Sequence, residues 1–278
     1  VYSDIQNNRY IMSEQFDYQQ LVSSSYISAQ MNLPLQIGLK SGLRYENTQI
    51  KGNWKNNNQG FHNGYGDILP NIVLSKSFSP MRSAKLSYNK RITRPSVKQI
   101  NSNSNRTDNM NMLVGNPNLE PTKTNQYEFS INSFGKTIQG SWQLYHKNSV
   151  DVIESFLEVD SNGVSISKYQ NIGESKQNGC SFFGSINLNK FNLRSSIDIY
   201  NYSARDPKLG YANWTTPVLL YSYWISGNYN LTKYWKAETF AFFRSPTQTI
   251  QGSIPSWSMM SIGVKKVFKN QRGSLGIR

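Results

Sequence analysis

Apolar and polar residues alternate with a period of two along most of the chain. In LQIGLKSGLRYE, Leu35, Ile37, Leu39, Ser41, Leu43 and Tyr45 fall on one face, and Gln36, Gly38, Lys40, Gly42, Arg44 and Glu46 on the other. CSFFGSINLNK divides Cys180, Phe182, Gly184, Ile186 and Leu188 from Ser181, Phe183, Ser185, Asn187 and Asn189. FNLRSSIDIYN sets Phe191, Leu193, Ser195, Ile197 and Ile199 against Asn192, Arg194, Ser196, Asp198 and Tyr200. Successive side chains of a strand point to opposite sides, so this pattern predicts strands with one apolar face. No segment keeps a 3.6-residue period with caps, and the prediction is all-β.

The connections alternate in length. Short turns are predicted near residues 32–34, 79–82, 133–136, 189–190, 232–234 and 269–272, and long loops near 53–66, 96–120, 151–173, 205–217 and 245–255. Short and long take turns, which predicts roughly twelve antiparallel strands in an up-and-down sheet with one smooth and one elaborated end. Outer-membrane barrels have that asymmetry, with strands apolar towards lipid and polar towards the lumen. A lipid-spanning strand needs about 9–11 residues, and several strands here are longer, so parts of them stand above the bilayer. Ile37, Leu39, Leu43, Phe182, Ile186, Leu188, Leu193, Ile197 and Ile199 are predicted to face lipid. Lys40, Arg44, Asn187, Arg194 and Asp198 are predicted to face the lumen. Tyr88, Trp142, Tyr145, Tyr200, Tyr202, Tyr221, Tyr223, Trp224, Tyr234 and Trp235 cluster towards strand ends, as interfacial girdles would.

Composition narrows the choice. Hydrophobic residues make up 37% of the 278, yet there are 17 Tyr, 13 Phe and 6 Trp, too many aromatics for a disordered chain. That combination fits a thin apolar layer, and the longest apolar runs, about four residues, exclude a transmembrane helix. The chain starts at Val1 without a signal segment, which suggests a mature piece or a fragment. A single cysteine, Cys180, and two histidines, His62 and His146, leave no disulfide framework or Cys/His metal cluster. The net charge of +14 raises nucleic acid as a partner, but Lys and Arg are scattered without a dense run. Attraction to an anionic membrane surface suits that distribution better. No nucleophile or carboxylate pattern surrounds either histidine, and NGYGDILP lacks the strand–loop–helix context of a phosphate loop. No catalytic residue, metal or cofactor is predicted.

Two motifs carry a resemblance. LSYNKRITRPSVKQIN contributes Tyr88, Arg91, Ile92, Arg94, Pro95 and Ser96; VGNPNLEPTKTNQYEFSIN contributes Gly115, Asn116, Pro117, Leu119, Glu120 and Pro121, then Tyr127 and Glu128. With the Asn-Ile-Gly of NGVSISKYQNIGESKQNGCSF and the hairpin FFRSPTQTIQGSIPSWSMMSIGVKKVF, these resemble the barrel of TonB-dependent outer-membrane receptors of the Bacteroidetes type, from about Tyr26 onward. There are departures. Asn101, Ser102 and Asn103 stand where the family often has Asn-Pro-Phe, which predicts a less anchored loop, and Cys180 stands where Glu is common. Physically, Pro95 has no N–H and ends ladder pairing, Gly115 with Pro117 and Pro121 fixes a return corner, and Arg91 and Arg94 are placed to pair with loop acids or carbonyls. The centre of this loop, NSNSNRTDNMN, lacks apolar residues to offset ordering entropy, so a mobile extracellular segment with fixed ends is expected.

The resemblance implies a bacterial outer-membrane location, a barrel of about 22 strands, an N-terminal plug and energy delivered through TonB. At the spacing seen here such a barrel would need on the order of 500 residues. Residues 1–278 would then be a single-domain C-terminal portion of the barrel, with neither plug nor TonB-contacting segment. Its partners would be outer-membrane lipid and an unidentified small ligand such as a siderophore, vitamin, oligosaccharide or peptide. Trp54, His62, Tyr65, Asn103, Arg106, Asn116, Tyr211 and Trp214 are the candidate ligand-facing residues, because function concentrates on loops over a rigid scaffold. Two other classes stay open: a passive channel or adhesin barrel without energy coupling, and a secreted soluble glycan-binding β-domain.

Overall fold

The computed structural model describes residues 2–4, 9–11, 15–55, 59–102, 105–108, 110–206, 210, 213–249, 251–268 and 272–278, and the backbone alone at 2–4, 9–11, 59 and 105–108. A short ribbon, β1 (Tyr2–Asp4) with β2 (Arg9–Ile11), precedes the wall. The wall begins with β3 (Phe16–Leu33), β4 (Ile37–Trp54), β5 (Gln59–Ser79) and β6 (Arg82–Thr93). A connection then carries the one-turn helix α1 (Val97–Ile100), β7 (Asn105–Asp108) and β8 (Asn111–Val114). The wall resumes with β9 (Thr122–Phe134), β10 (Ile138–Val159), β11 (Ser165–Asn187), β12 (Phe191–Arg205), β13 (Val218–Asn230) and β14 (Trp235–Arg244). After a small hairpin, β15 (Thr247–Gln248) and β16 (Ser253–Ile254), it ends with β17 (Trp257–Val267) and β18 (Ser274–Ile277).

Twelve of these strands form one path, β18-β17-β14-β13-β12-β11-β10-β9-β6-β5-β4-β3. Every neighbouring pair in it is antiparallel. The six predicted short turns lie at one end and the longer connections at the other, as the alternation requires.

Two predicted loops are corrected. Residues 53–66 and 151–173 are largely strand: Trp54 already pairs with Gln59, and β10 and β11 remain paired up to Val159 and Ser165. With 22 and 23 residues, β10 and β11 are about twice the length a bilayer crossing takes. Their upper halves stand in water on both faces, so no apolar face is needed and the alternation fades while the hydrogen-bond ladder continues.

Register assigns the two faces. Trp142 lies opposite Phe182, which lies opposite Ile197, then Tyr223 and Phe243. All belong to an outward face whose large apolar side chains, Leu43, Ile72, Leu86, Phe129, Ile131 and Ile199 among them, are exposed along the whole wall. A water-exposed monomer rarely shows a contiguous apolar patch above a few hundred Å²; lipid covers this one. The other face carries Lys40, Arg44, Arg194 and Asp198, as predicted, together with the buried Glu46, Thr48, Asp67, Gln126 and Ser130. Leu188 is exposed in the β11–β12 turn, beyond the strand.

Only part of the expected girdle looks outward. Tyr88, Trp142, Tyr221, Tyr223 and Trp235 do, whereas Tyr145, Tyr200, Tyr202 and Trp224 take the lumenal register and Tyr234 sits in a turn. Alternation cannot identify the wet face of a strand when aromatics occupy both. On β13 Tyr221 and Tyr229 mark two outward aromatic levels. They are about 26 Å apart along the tilted strand, enough to span most of an apolar band about 25 Å tall.

Ile197→Arg, on the outward face, should destabilise the membrane-embedded protein by about 2 kcal/mol. Ser196→Arg, one residue away on the lumenal face, should cost less than about 1 kcal/mol. Unfolding titrations in lipid check this, and equal losses would contradict the assignment of faces.

Candidate functional site

The long connection between β6 and β9 builds the site. The β6–β9 ladder ends where Thr93 meets Thr122; Pro95 follows, cannot donate to a further rung, and is buried. Arg94 reaches across to the lumenal face of β4. It donates to the Glu46 carboxylate and, from Nε, to Thr48 Oγ1 at 3.1 Å. Glu46 also meets Arg44 Nε at 2.6 Å. A buried carboxylate persists as an ion only when it is paired and hydrogen-bonded in this way. Arg91, by contrast, donates to Asn89 of its own strand at 2.8 Å, and not to a loop group.

After the helical turn α1 the chain is held at Asn101, whose side-chain oxygen accepts from Trp54 Nε1 at 2.9 Å. The Trp54 ring is stacked on Phe16 at 5.0 Å and tilted against Phe61 at 5.6 Å, an aromatic cluster on the inner rim. The returning strand β8 docks on Asn101 from the other side: Gly115 N donates to Asn101 O at 3.0 Å. A Cβ at Gly115 would lie 2.2 Å from that oxygen, so the approach admits no side chain. The predicted weak anchoring of this segment is therefore corrected, because Asn101 itself is a fixed point. Nor is the centre structureless: β7 and β8 are paired, and Asn111–Val114 joins β11 in parallel at residues 165–168.

The Asn-Ile-Gly element closes the return. Asn171 Oδ1 accepts from Glu120 N at 2.8 Å, and Asn171 Nδ2 donates to Glu120 O at 2.9 Å and Asp151 O at 2.8 Å. One amide thus satisfies both backbone groups of the Glu120 corner. Ile172 is fully buried, and a Cβ on Gly173 would come within 2.4 Å of Arg205 O. Asn116 adds a third tie, its Nδ2 donating to Tyr169 O at 3.2 Å while its Oδ1 accepts from Asn118 N at 2.9 Å around Pro117. Leu119, Pro121 and Ile100 are buried within this packing.

The candidate ligand-facing residues separate by face. Trp54 and Tyr65 point to the lumen, and Asn116 is committed to tying the loop. His62 takes the outward register opposite Lys51. Trp214 also lies outside, its ring 4.1 Å from Lys176 Nζ and 4.8 Å from the Arg205 guanidinium carbon. Asn103 and Tyr211 lie outside the described residues, as does the side chain of Arg106. Tyr88 of the first motif faces outward, its hydroxyl donating to Asn125 at 2.9 Å beside the Tyr127 ring.

Lower in the lumen, Tyr145 and Ser181 both donate to the Asp198 carboxylate. Neither this group nor Glu46 and Asn171 was singled out from the sequence as a site. Asp198 was placed on the correct face and Asn-Ile-Gly was noticed as a motif, but nothing local discloses partners about 50 residues away. Cys180 is a half-buried thiol on the outward face, and no group of three or more His, Cys, Asp and Glu gathers among the described residues. The lining offers hydrogen-bonding groups, paired charges and aromatic faces, the chemistry of recognition.

A family model described as outer membrane protein beta-barrel family matches residues 2–278. No curated protein matches. Among solved structures, the unliganded ferric citrate transporter FecA is 14% identical with a TM-score of 0.64, covering 95% of this chain and 40% of its own. The copper transporter OprC is 12% identical with a TM-score of 0.63, over 95% and 43%. The FrpB iron transporter from Neisseria meningitidis (F3-3 variant) is 10% identical with a TM-score of 0.58, over 91% and 39%. The likeness is of fold, and this chain spans about two fifths of the length of those proteins.

Asn171→Ala strips both backbone groups of Glu120 of their partner. Each lost hydrogen bond costs about 1 kcal/mol, more where the group stays buried. The expected result is a loop that protease cleaves between residues 101 and 111 in intact cells at least tenfold faster than in the parent, with the barrel retained. Unchanged cleavage would contradict the role given to Asn171.

Proposed function

Because this chain belongs to the outer membrane protein β-barrel family, we propose that it is the C-terminal portion of the barrel of a TonB-dependent receptor that binds a scarce ligand outside the cell and imports it. In this reading residues 1–278 are one continuous piece of wall and vestibule in a barrel of about 22 strands. A plug domain and the TonB-contacting segment belong to the remainder of the receptor. The proteins that share the fold are named as transporters of iron, copper and ferric citrate.

The observation that carries the reading is the inward course of the β6–β9 connection. It crosses from β6 to the far side of β11 and is tied to the lumenal face of β4 through Arg94 and Asn101. A wall whose own connection occupies the mouth suits gated, ligand-dependent passage better than a free diffusive pore. The location in the bacterial outer membrane follows from the family, and the outward apolar band suits it.

Planar-bilayer recordings of the full-length protein test the proposal. The expected result is no steady conductance from the intact protein, together with ligand-dependent growth of the parent bacterium that disappears when TonB is deleted. A steady open conductance from intact protein would overturn it in favour of a passive channel.

A further inference from the structure

The outward face carries a groove of 630 Å³ where β10, β11 and β12 leave the apolar band. Its cause is side-chain length. On β11 the outward positions Cys180 and Asn178 are short, whereas Leu144 of β10, Ile199 of β12 and Leu219 of β13 stand beside them as exposed apolar walls. Register sets the polarity along the groove. The row Leu144–Cys180–Ile199 is apolar. The next row towards the long connections, His146–Asn178–Asn201, is polar, with His146 Nδ1 2.7 Å from Asn178 Oδ1.

One step further along the outward face of β11 stands Lys176, and beyond it Glu174 lies opposite Arg205 of β12. Trp214, from the connection between β12 and β13, holds both cations. Its ring lies 4.1 Å from Lys176 Nζ and 4.8 Å from the Arg205 guanidinium carbon. The negative face of an indole attracts cations, so one ring keeps two like charges close together. Arg205 also meets the Glu174 carboxylate at 2.9 Å, and Lys176 forms no ion pair among the described residues. Two cations with one carboxylate leave the cluster net positive.

The order along β11 is therefore an apolar groove, a hydrogen-bonding rim and a cationic cluster. An anionic lipid has the same order from acyl chain to headgroup. A soluble anion would use the cations and not the groove, and a neutral lipid the groove and not the cations. Each step between outward residues is about 7 Å along the strand, so the Asn178 rim leaves room for a sugar ring between chain and charge. A guanidinium beside an ammonium suits phosphate oxygens, and Trp is at home at a membrane–water interface.

We propose that this surface binds a phosphorylated glycolipid of the outer leaflet, with an acyl chain in the groove, sugar groups on Asn178 and Asn201, and a phosphate on Lys176 and Arg205. The site goes beyond the receptor reading and does not depend on it, since the same wall in a passive channel would present it too.

The test is native mass spectrometry of the full-length protein in detergent, titrated with diphosphoryl lipid A, with the same lipid A after phosphatase treatment, and with phosphatidylglycerol. Diphosphoryl lipid A should bind saturably, and the other two at least tenfold more weakly. Lys176→Gln should raise its dissociation constant several-fold, and Lys176→Gln with Arg205→Gln tenfold or more. Cys180→Trp, which fills the groove floor, should weaken it several-fold, whereas Arg194→Gln on the lumenal face should leave it unchanged. Thermal unfolding of each variant, unchanged from the parent, separates loss of the site from loss of the fold. Arg205→Gln also breaks the pair with Glu174, so Lys176→Gln alone decides the matter if the double variant does not fold. No saturable binding, equal binding of the dephosphorylated lipid or of phosphatidylglycerol, displacement by inorganic phosphate, or unchanged affinity in Lys176→Gln and Cys180→Trp would overturn the proposal.

Discussion

The two-way hydrogen bonding between the Asn171 amide and the backbone of Glu120 decides what the longest connection of this protein does. A polar segment of nearly thirty residues has little apolar surface to offset its ordering entropy, roughly 1–2 kcal/mol per residue for the backbone alone. It is ordered here because its ends are fixed at several separated points. Arg94 ties the departure to Glu46, Asn101 ties the first corner to Trp54, and Asn171 ties the return to β11. Glu46 and Trp54 are buried, so breaking either of their ties costs more than forming it gained. The two Arg residues around Glu46 follow the same logic, since a buried carboxylate left with fewer cations is strongly destabilising.

The wall around this latch answers to its two solvents. Within the bilayer, lipid demands an apolar outer face, and Leu86, Phe129, Leu144 and Ile199 supply it. Above the bilayer water lies on both sides, and the same strands continue with polar residues outside as well as in. There Trp214 folds back over Lys176 and Arg205 on the outer surface, while Glu154 and Tyr202 face inward. The lumenal polarity is organised throughout, because Asp198, Glu46 and Glu154 each accept from named partners.

The fold was legible because lipid imposes strict alternation where it touches the chain. Ile197 against Asp198, or Leu43 against Arg44, could be assigned to faces from two neighbouring letters. The strand extensions at 53–66 and 151–173 were not legible, since strands wet on both faces look like loops. Asn101 was read as a departure that loosened the loop, yet it is an anchor, because its partners Trp54 and Gly115 come from elements the local sequence does not connect. His62 and Trp214 were grouped with Trp54 by composition, and only register separates the outward pair from the lumenal one. The fastening of the β15–β16 hairpin onto β10 was equally hidden, resting on Gln251 and Leu157 across 94 residues.

Residues 94–102 and 110–121 are held as a fixed element against the lumenal side of the wall. Hydrogen–deuterium exchange of the full-length protein in lipid nanodiscs measures this directly. The amides of Gly115, Asn116 and Glu120, which donate to Asn101 O, Gln99 O and Asn171 Oδ1, should exchange at least a hundredfold more slowly than unprotected amides. Exchange of all three at the unprotected rate would show that the segment is an open loop and contradict the account.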